Sequence, residues 1–529
     1  MFRDAGRCCR AAAVAVFFLG VLGANMVRAA SAPLRLELYL AGSSAHEPGL
    51  LSLLRLTQAG GMEICTPGSL HVYATGRDER TGLDTVYRCQ AGVDAGLGKG
   101  SWLVLVKTAR GGSGGGLGAL LRGPSAQVAG GGQSLNLAFL ASDEPQLLAT
   151  SGVSRPAAGP LAAYVFHGGV PVSLVQQRRA PDVVLSDMEP AQFTHALQPA
   201  LTEAELGKLQ SQSIASVIYG VPLTRGLWQR LQALEFPPTS SCHPQHPGYG
   251  DINRPDSRAN ALACMPSISK AQLQGLLSGL LQDWRELESS LAEGANAANV
   301  TVAGVPPLSS GQVFVERREA GAESARAFEI FFNPSHCADR NLADTQSPAA
   351  HVSHSDSALL QRLTRHDAAG RGGIGLLPTS LVAAADDRWR FVKISGTPPS
   401  LRAAVTGQWE LWFEGSLHLR RVEVGELPAA SPTISAFARV LARGLGHPSV
   451  LRHLNAGTRQ LFGPAGLMAN GLHHAAAAPR SPLVLQTVGS GLRGDLVDRP
   501  VALTTRGLGS ATQACSSPVL VGPAPAEPY

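Results

Sequence analysis

The sequence predicts an α/β protein of two lobes that carries inserted loops and disulfides. Short continuous apolar runs, at 101–107 and 181–187, are typical of strands buried on both faces of a parallel sheet. Amphipathic helical patterns lie between and after these runs, and strands that alternate with helices indicate α/β architecture. The chain has 529 residues, more than one ordinary core accommodates, so at least two lobes are expected.

Local patterns place the individual elements. At 34–40, leucines alternate with other residues before a Gly-Ser-Ser turn, which predicts the first strand. A helix is predicted over 269–287, because Ser269 and Gln272 form a capping box and the following leucines share one face. Another helix is predicted to begin at Ser431 and the proline after it. Loops are predicted at 237–256, 336–356 and 468–482.

Residues 1–30 have the pattern of a secretory signal peptide. Three arginines come first, an apolar run follows at 11–24, and small residues occupy 29–32. The mature chain is therefore expected in the periplasm or outside the cell. No later apolar run reaches about 18 residues, so no membrane-spanning helix is expected in the mature chain.

The cysteines suit an exported protein. Of eight cysteines, two precede the apolar run of the signal peptide, which leaves an even number in the mature chain. These are Cys65, Cys89, Cys242, Cys264, Cys337 and Cys515. Their spacing favours Cys65 with Cys89 and Cys242 with Cys264, which leaves Cys337 for Cys515. Buried free thiols are the alternative.

Composition and charge exclude several kinds of partner. The formal net charge of +5 is mild for this length. The sequence has no run of Lys and Arg that could bind along a nucleic-acid backbone, so no nucleic-acid partner is expected. The segments 242–246 and 351–356 contain residues that ligate metals. Polar loops of this kind are usually solvated, and Cys242 is expected in a disulfide. No metal and no cofactor are therefore expected.

The segment 111–116, Gly-Gly-Ser-Gly-Gly-Gly, allows two interpretations of Ser113. The residues around Ser113 fit G-x-S-x-G, the turn that exposes a nucleophilic serine in α/β-hydrolases. A Gly-rich helix start also presents backbone N–H groups to an anion. A hydrolase needs an acid and a histidine after Ser113, for which Asp187, His354 and His473 are available. No second Gly-rich oxyanion loop precedes Ser113, so the anion site is favoured and no catalytic residue is assigned.

Four segments share hydroxyl-bearing residues, an acid or an arginine at a strand end or a helix start. They are 40–49, 111–116, 185–190 and 315–332. Hydroxyls and helix N-terminal amides donate to oxyanions, and an arginine pairs with them in a bidentate manner. An Asp accepts a proton from a partly protonated ligand. Together the segments favour a site for a small oxyanion.

In this order, the four segments resemble the phosphate-type periplasmic substrate-binding proteins of ABC transporters. The small-residue turn that ends the first strand of that family is similar to 42–45. Its Gly-Ser-Gly helix start is similar to 112–114, and its Ser-Asp pair is similar to 186–187. The arginine of its R-x-x-x-S-G-T segment falls on Arg318. The helical stretch from 266 and the segment 372–378 add to the likeness.

The resemblance implies a type 2 periplasmic-binding fold, in which two lobes close about a hinge over a phosphate-like oxyanion. It implies a transporter permease as partner, and we expect the chain to act as a monomer. The implied lobe one comprises 31–215 and 388–529, and lobe two comprises 216–387. The implied ligand-binding residues are Ser44, Ser113, Gly114, Asp187, Arg318 and Ser324.

At the S-G-T segment this chain departs from the family pattern. It has Ala322, Glu323 and Ser324, which removes one hydroxyl and places a carboxylate where the family has glycine. A carboxylate about 4 Å from a bound dianion repels it by about 4 kcal/mol per negative charge at an effective dielectric of about 20. We therefore expect that Glu323 points away, with Arg326 at i+3 to neutralise it, or that the ligand is not ordinary phosphate. The alternative is a secreted interaction protein that kept the fold and lost the ligand.

Overall fold

The computed structural model describes most of the chain between residues 35 and 468. The described ranges are 35–56, 62–77, 83–98, 100–128, 137–157, 161–254, 257–291, 305–332, 350–381, 383, 387–405, 408–457 and 465–468. The predicted signal peptide, Cys337 and Cys515 lie outside these ranges, as do most of the predicted loops 336–356 and 468–482.

The strands are given in chain order. They are β1 (Arg35–Gly42), β2 (His71–Ala74), β3 (Asp84–Gln90), β4 (Trp102–Thr108), β5 (Gln127–Val128), β6 (Ala138–Leu140), β7 (Val153–Ala157), β8 (Tyr164–Gly168), β9 (Val175–Arg178), β10 (Val183–Ser186), β11 (Leu197–Gln198), β12 (Leu209–Gly220), β13 (Pro222–Thr224), β14 (Ser267–Ile268), β15 (Ser310–Arg318), β16 (Ala350–Ser353), β17 (Arg371–Ile374), β18 (Leu377–Pro378), β19 (Trp389–Phe391), β20 (Lys393–Ile394), β21 (Trp412–Arg420) and β22 (Leu467–Met468).

The α-helices are named in the same way. They are α1 (Glu47–Arg55), α2 (Gly112–Arg122), α3 (Glu144–Thr150), α4 (Glu203–Leu206), α5 (Arg225–Glu235), α6 (Lys270–Ser278), α7 (Trp284–Leu291), α8 (Glu323–Phe332), α9 (Asp356–Ala368), α10 (Leu401–Val405), α11 (Pro432–Leu445) and α12 (Pro448–Gly457). None of the helices within the described residues is both long and apolar enough to cross a membrane.

Two main sheets organise the chain, as the α/β prediction requires. The larger has 11 strands in the order β18-β12-β21-β10-β1-β4-β3-β2-β8-β7, with β22 also paired to β12. The second has 5 strands in the order β16-β15-β17-β13-β19. We call the larger sheet with α1, α2 and α11 the large lobe, and the second sheet with α8 and α9 the small lobe. The chain passes to the second sheet near 221 and returns to the larger sheet for good between 391 and 412. In between, it crosses briefly to the larger sheet for β18, after 374, and is back in the second sheet by 389. The predicted lobe boundaries at 215 and 388 stay predictions.

The predicted buried strands form the centre of the large lobe. β1 pairs in parallel with both β4 and β10. Alternate residues of β1 face opposite sides: Leu38 and Leu40 pack in one buried cluster with α1 and α11, and Tyr39 packs in the other with α2. Each fully buried leucine contributes about 1.5–3 kcal/mol relative to an exposed one. Helices on both faces therefore explain why β4 reads as a continuous apolar run.

The carboxyl ends of the parallel strands position the candidate site. β1, β4 and β10 end side by side, and the chain after them continues into 43–46, 109–114 and 187. In the small lobe β15 and β16 are also parallel and lead into 319–324 and 354–356. Hydrogen bonds join these two sets of segments across the lobes, which places candidate ligand residues of both lobes together.

Three local predictions have different outcomes. The helix predicted over 269–287 is wrong as one element, because Gly279 adopts φ 80° and ends α6 before α7 begins. The capping box of Ser269 with Gln272 and the helix that begins after Ser431 are confirmed. Within the predicted loop 336–356, residues 350–353 form β16 instead, because they complete the edge of the second sheet.

Both short-range disulfides are confirmed. Cys65 is bonded to Cys89, and Cys242 to Cys264, with sequence separations of 24 and 22. The first joins the segment before β2 to β3 in the large lobe. The second closes the segment 242–264, whose described residues form turns and two short 3-10 helices, at Arg258–Asn260 and Leu262–Cys264. The predicted pairing of Cys337 with Cys515 stays a prediction.

Candidate functional site

The Gly-rich segment forms the turn from β4 into α2. Gly111 and Gly112 have φ values of 72° and 60°, in the left-handed region that glycine adopts without steric cost. A Cβ added to Gly112 would lie 2.7 Å from the Cα of Ala322, which belongs to the small lobe. Glycine at 112 therefore permits both the tight turn and the close approach of the two lobes.

Ser113, the first candidate donor, holds the carboxylate of Glu323. The backbone N–H of Ser113 donates to Glu323 Oε1 at 2.6 Å, and the Ser113 hydroxyl donates to the same oxygen. Both side chains are buried. Of the two alternatives for Glu323, that it points away is therefore wrong, and that the ligand is not ordinary phosphate stays a prediction. The N-terminus of α2 attracts negative charge, and the nearest negative group is the chain's own carboxylate.

Arg318 lies at the end of β15 and is also buried. Its Nη1 donates to Asp356 Oδ1, and its Nη2 donates to the carbonyl of His354 at 3.4 Å. Burial alone lowers the pKa of Arg318, but the carboxylates of Asp356 and Glu323 outweigh this effect and raise it. The guanidinium is thus a permanent cation between two acidic side chains.

Ser44 and Asp356 join the lobes at a second point. The Ser44 hydroxyl, after the end of β1, donates to Asp356 Oδ2 at 2.9 Å. Asp356 is the first residue of α9, where the helix dipole favours a carboxylate. Its two oxygens therefore accept from Ser44 of the large lobe and from Arg318 of the small lobe.

Asp187 follows β10 and faces the same region from the large lobe. Its backbone N–H donates to Ser113 Oγ at 3.3 Å, and its Oδ2 accepts from the Tyr219 hydroxyl at 2.9 Å. Its Oδ1 lies 3.2 Å from His46 Nε2, although the alignment is not that of a hydrogen bond. Burial, and then the charge of Glu323, raises the pKa of Asp187 well above its usual range. Burial lowers the pKa of His46 to about 3, so this imidazole is neutral.

Ser324 and Gly114, two further predicted ligand residues, differ in their hydrogen bonding. Ser324 lies in the first turn of α8, next to Glu323, and its buried hydroxyl has no hydrogen-bond partner among the described residues. The same holds for Nε of Arg318. Gly114 N–H, in contrast, donates to the carbonyl of Gly321 at 2.9 Å. We call the set Ser44, Ser113, Asp187, Arg318, Glu323, Ser324 and Asp356 the interlobe site.

A buried lysine lies under the interlobe site and was not singled out from the sequence. Lys107 Nζ donates to the carbonyls of Gly42 at 2.9 Å and Thr108 at 3.1 Å. It lies 3.6 Å from Glu47 Oε1. Burial lowers the pKa of Lys107, and its electrostatic interactions with Glu47 and Glu323 oppose that effect. A charged residue at the end of the apolar run 101–107 was the sequence signal that could have revealed it.

The contacts of Ser113 do not match those of a hydrolase nucleophile. Its hydroxyl is bonded to Glu323 and to the Asp187 N–H, and no imidazole of the described residues is hydrogen-bonded to it. His354 instead lies 3.0 Å from Glu319 Oε2. His473 lies outside the described residues. Within the described part of the chain, no group of three or more His, Cys, Asp or Glu side chains is arranged to hold a metal ion.

Comparisons with known proteins find similar solved structures. No protein-family model and no curated protein matches this chain. The chain is similar to a putative phosphate ABC transporter substrate-binding protein with bound phosphate from Clostridium perfringens. The TM-score is 0.40 and the identity 10%, over 82% of this chain and 100% of that one.

Two further structures are similar over part of the chain. A possible phosphate binding protein from Planctomyces limnophilus has a TM-score of 0.28 and 10% identity, over 78% of this chain and 99% of that one. A phosphate-binding protein from Stenotrophomonas maltophilia has a TM-score of 0.30 and 12% identity, over 51% of this chain and 71% of that one. These are the kind of protein that the order of the sequence motifs resembles.

Proposed function

We propose that this chain is an exported solute-binding protein that holds a small, phosphate-like oxyanion between its two lobes. One observation carries the proposal: the N–H and hydroxyl of Ser113 already hold a carboxylate, Glu323, in the interlobe site. A carboxylate and a phosphate present the same kind of acceptor oxygen. Donors that bind the one are therefore suited to the other.

The residues proposed to bind the ligand are those that the sequence singled out. Ser113 and Ser44 donate from the large lobe, and Arg318 and Ser324 from the small lobe. The Ser324 hydroxyl and Arg318 Nε are buried donors that have no partner among the described residues, so a bound oxyanion would satisfy them. Asp187, whose pKa is raised by burial, is suited to share a proton with a partly protonated ligand. Gly114 has no side chain, so no Cβ obstructs the approach of a ligand to the helix start.

No chemical step is needed for this role. The proposed protein acts as a monomer in the periplasm or outside the cell, and it delivers its ligand to the permease of a transporter. Closure of the lobes excludes water from the ligand, which strengthens each charge-assisted hydrogen bond.

Titration calorimetry of the mature chain with phosphate, sulfate and nitrate tests the proposal. We expect Arg318→Ala to abolish binding. Arg317→Ala is the matched control, because the Arg317 guanidinium stacks over Phe328 at 4.3 Å and, among the described residues, its side chain is neither hydrogen-bonded nor ion-paired to the interlobe site. The titrations are repeated with Glu323→Ala, which removes the resident carboxylate. If neither the wild type nor Glu323→Ala binds any of the three anions, the proposal is wrong.

A second candidate function is favoured by the same carboxylate. Glu323 and Asp356 satisfy the donors Ser113 and Ser44, so the lobes are joined without a small ligand. A secreted interaction protein that kept the fold and lost the ligand is the alternative. It gains support only if the titrations above show no binding in either protein.

A further inference from the structure

The interlobe site is the most unusual feature of the described chain, because carboxylates of the chain itself occupy it. Glu323 and Asp356 both belong to the small lobe, at the starts of α8 and α9. Each accepts a hydrogen bond from a serine of the large lobe, Ser113 or Ser44. The two contacts cross from one lobe to the other, and in both a negative group of one lobe meets donors of the other.

Glu323 makes the contacts expected of a bound anion. One of its oxygens accepts from a backbone N–H at a helix start and from a hydroxyl of the same residue, Ser113. Arg318 supplies a positive charge close enough to affect the titration of Glu323. Backbone N–H, hydroxyl and guanidinium together are the donor set that proteins use for free oxyanions. Glu323 thus meets the N–H and hydroxyl of that donor set directly, and the guanidinium acts on it through its charge and not through a hydrogen bond.

The close approach of the lobes at this point does not depend on Glu323 alone. Gly114 N–H donates to the carbonyl of Gly321 at 2.9 Å, and Gly111 N–H donates to Glu319 Oε1 at 3.1 Å. These contacts bring the turn 319–322 against the start of α2. They leave the side chain of residue 323 directed at Ser113, where the family that this chain resembles has glycine.

We propose that Glu323 is a tethered oxyanion that holds the two lobes closed in the absence of a ligand. A free oxyanion then binds only by displacing the carboxylate from Ser113. Glu323 would thereby set the affinity of the site for its ligand. This effect on affinity rests on the proposed function. The closure itself does not rest on it, because the carboxylate joins the lobes whether or not a free anion ever binds.

The size of the effect follows from electrostatics. A carboxylate about 4 Å from a second negative charge weakens binding roughly 1000-fold at an effective dielectric of about 20. Glu323→Ala should therefore increase the affinity for phosphate by roughly 10-fold to 1000-fold, with the lower end applying if the carboxylate moves aside. The same substitution removes the tether, so the ligand-free protein should open.

Small-angle X-ray scattering of the mature chain, without and with excess inorganic phosphate, measures both consequences. In phosphate-free buffer we expect the wild type to be compact and Glu323→Ala to have a larger radius of gyration. Glu323→Gln keeps the shape of the side chain and is expected to open less than Glu323→Ala. Glu329→Gln is the matched control: it makes the same change in the same helix, where the carboxylate pairs with Arg326 at 2.6 Å. It should remain as compact as the wild type.

The outcomes separate the tether from the proposed function. If Glu323→Ala opens and phosphate closes it again, both are supported. If Glu323→Ala opens but binds no oxyanion, the tether is supported and the proposed function is wrong. If the ligand-free wild type is already as open as Glu323→Ala, the tether is wrong, whatever phosphate does. Circular dichroism verifies folding, and Glu323→Gln decides the question if Glu323→Ala fails to fold.

Discussion

Replacing Gly112 with alanine should drive the two lobes apart. The Cβ of an alanine at this position would lie 2.7 Å from Ala322 Cα and 2.9 Å from the carbonyl oxygen of Gly321. Both are backbone atoms of the small lobe, so no side-chain rotation relieves the contact. Ordinary carbon contacts begin near about 3.5 Å, so the lobes must separate by nearly 1 Å at this point.

Two separate costs follow from this substitution. The left-handed conformation of Gly112, with φ 60°, costs an L-residue about 1–2 kcal/mol, and this cost is paid in the open and the closed protein alike. Separation also breaks the Gly114 to Gly321 hydrogen bond, worth about 1 kcal/mol, and weakens the pair of Ser113 with Glu323, worth about 2 kcal/mol. Closure should therefore become less favourable by about 1–3 kcal/mol, or roughly 5-fold to 100-fold in the equilibrium between closed and open forms.

Gly118→Ala is the matched control for Gly112→Ala. Gly118 lies in the same helix, and the nearest neighbours of its Cβ would be side-chain atoms of Leu197, at 3.0 Å, and of Ala126, at 3.2 Å, rather than atoms of the small lobe. X-ray scattering should show a larger radius of gyration for Gly112→Ala alone, and urea unfolding should show a loss of about 1–2 kcal/mol for it. If both variants have the wild-type radius and Gly112→Ala has wild-type stability, the reasoning about the lobe contact is refuted.

Two further predictions concern stability. Burial lowers the pKa of His418 from 6.5 to about 3, so at intermediate pH the unfolded chain binds a proton there that the folded chain does not. The free energy of unfolding therefore falls as the pH falls below 6.5, by about 2 kcal/mol at about pH 5. Urea unfolding at about pH 6.5 and about pH 5 measures this loss, and His418→Asn should remove the part that is due to His418. Arg230 and Glu288 form a buried pair with N···O distances of 2.6 and 2.9 Å, so Glu288→Leu should cost about 3–5 kcal/mol in urea unfolding. Adding Arg230→Met should recover most of that loss, and a double variant as unstable as the single one would contradict this account.

The parts of the fold that could be predicted are those in which local pattern and burial agree. β4 and β10 were recognisable because a strand covered on both faces needs apolar residues at successive positions. β1 was recognisable because its leucines alternate with other residues before a turn. The helix predicted over 269–287 failed because its apolar periodicity continues past Gly279, whereas the backbone there turns left-handed. The strand 350–353 was missed because an edge position in the second sheet requires few apolar residues.

Most residues of the interlobe site could be predicted from the sequence, but the hydrogen bonds between them could not. Ser44, Ser113, Asp187 and Arg318 could be singled out because each follows a strand or opens a helix, and strand ends of parallel sheets meet at one edge. That Asp356 would accept from both Ser44 and Arg318 was not evident, because these residues are distant in sequence. Their pairing depends on how two lobes dock, which no local pattern encodes.

The direction of the Glu323 side chain depends on whether a free anion is bound at the start of α2. A dianion bound at the start of α2 would repel a carboxylate placed beside it. Without a free anion, the N–H and hydroxyl of Ser113 attract the carboxylate instead, since it is the negative group that can reach them. When a singly charged oxyanion displaces the Glu323 carboxylate from Ser113, the net charge of the site stays the same only if that carboxylate moves out of the site or takes up a proton. Burial raises its pKa, so the site favours an incoming ligand that brings a proton over a fully ionised dianion.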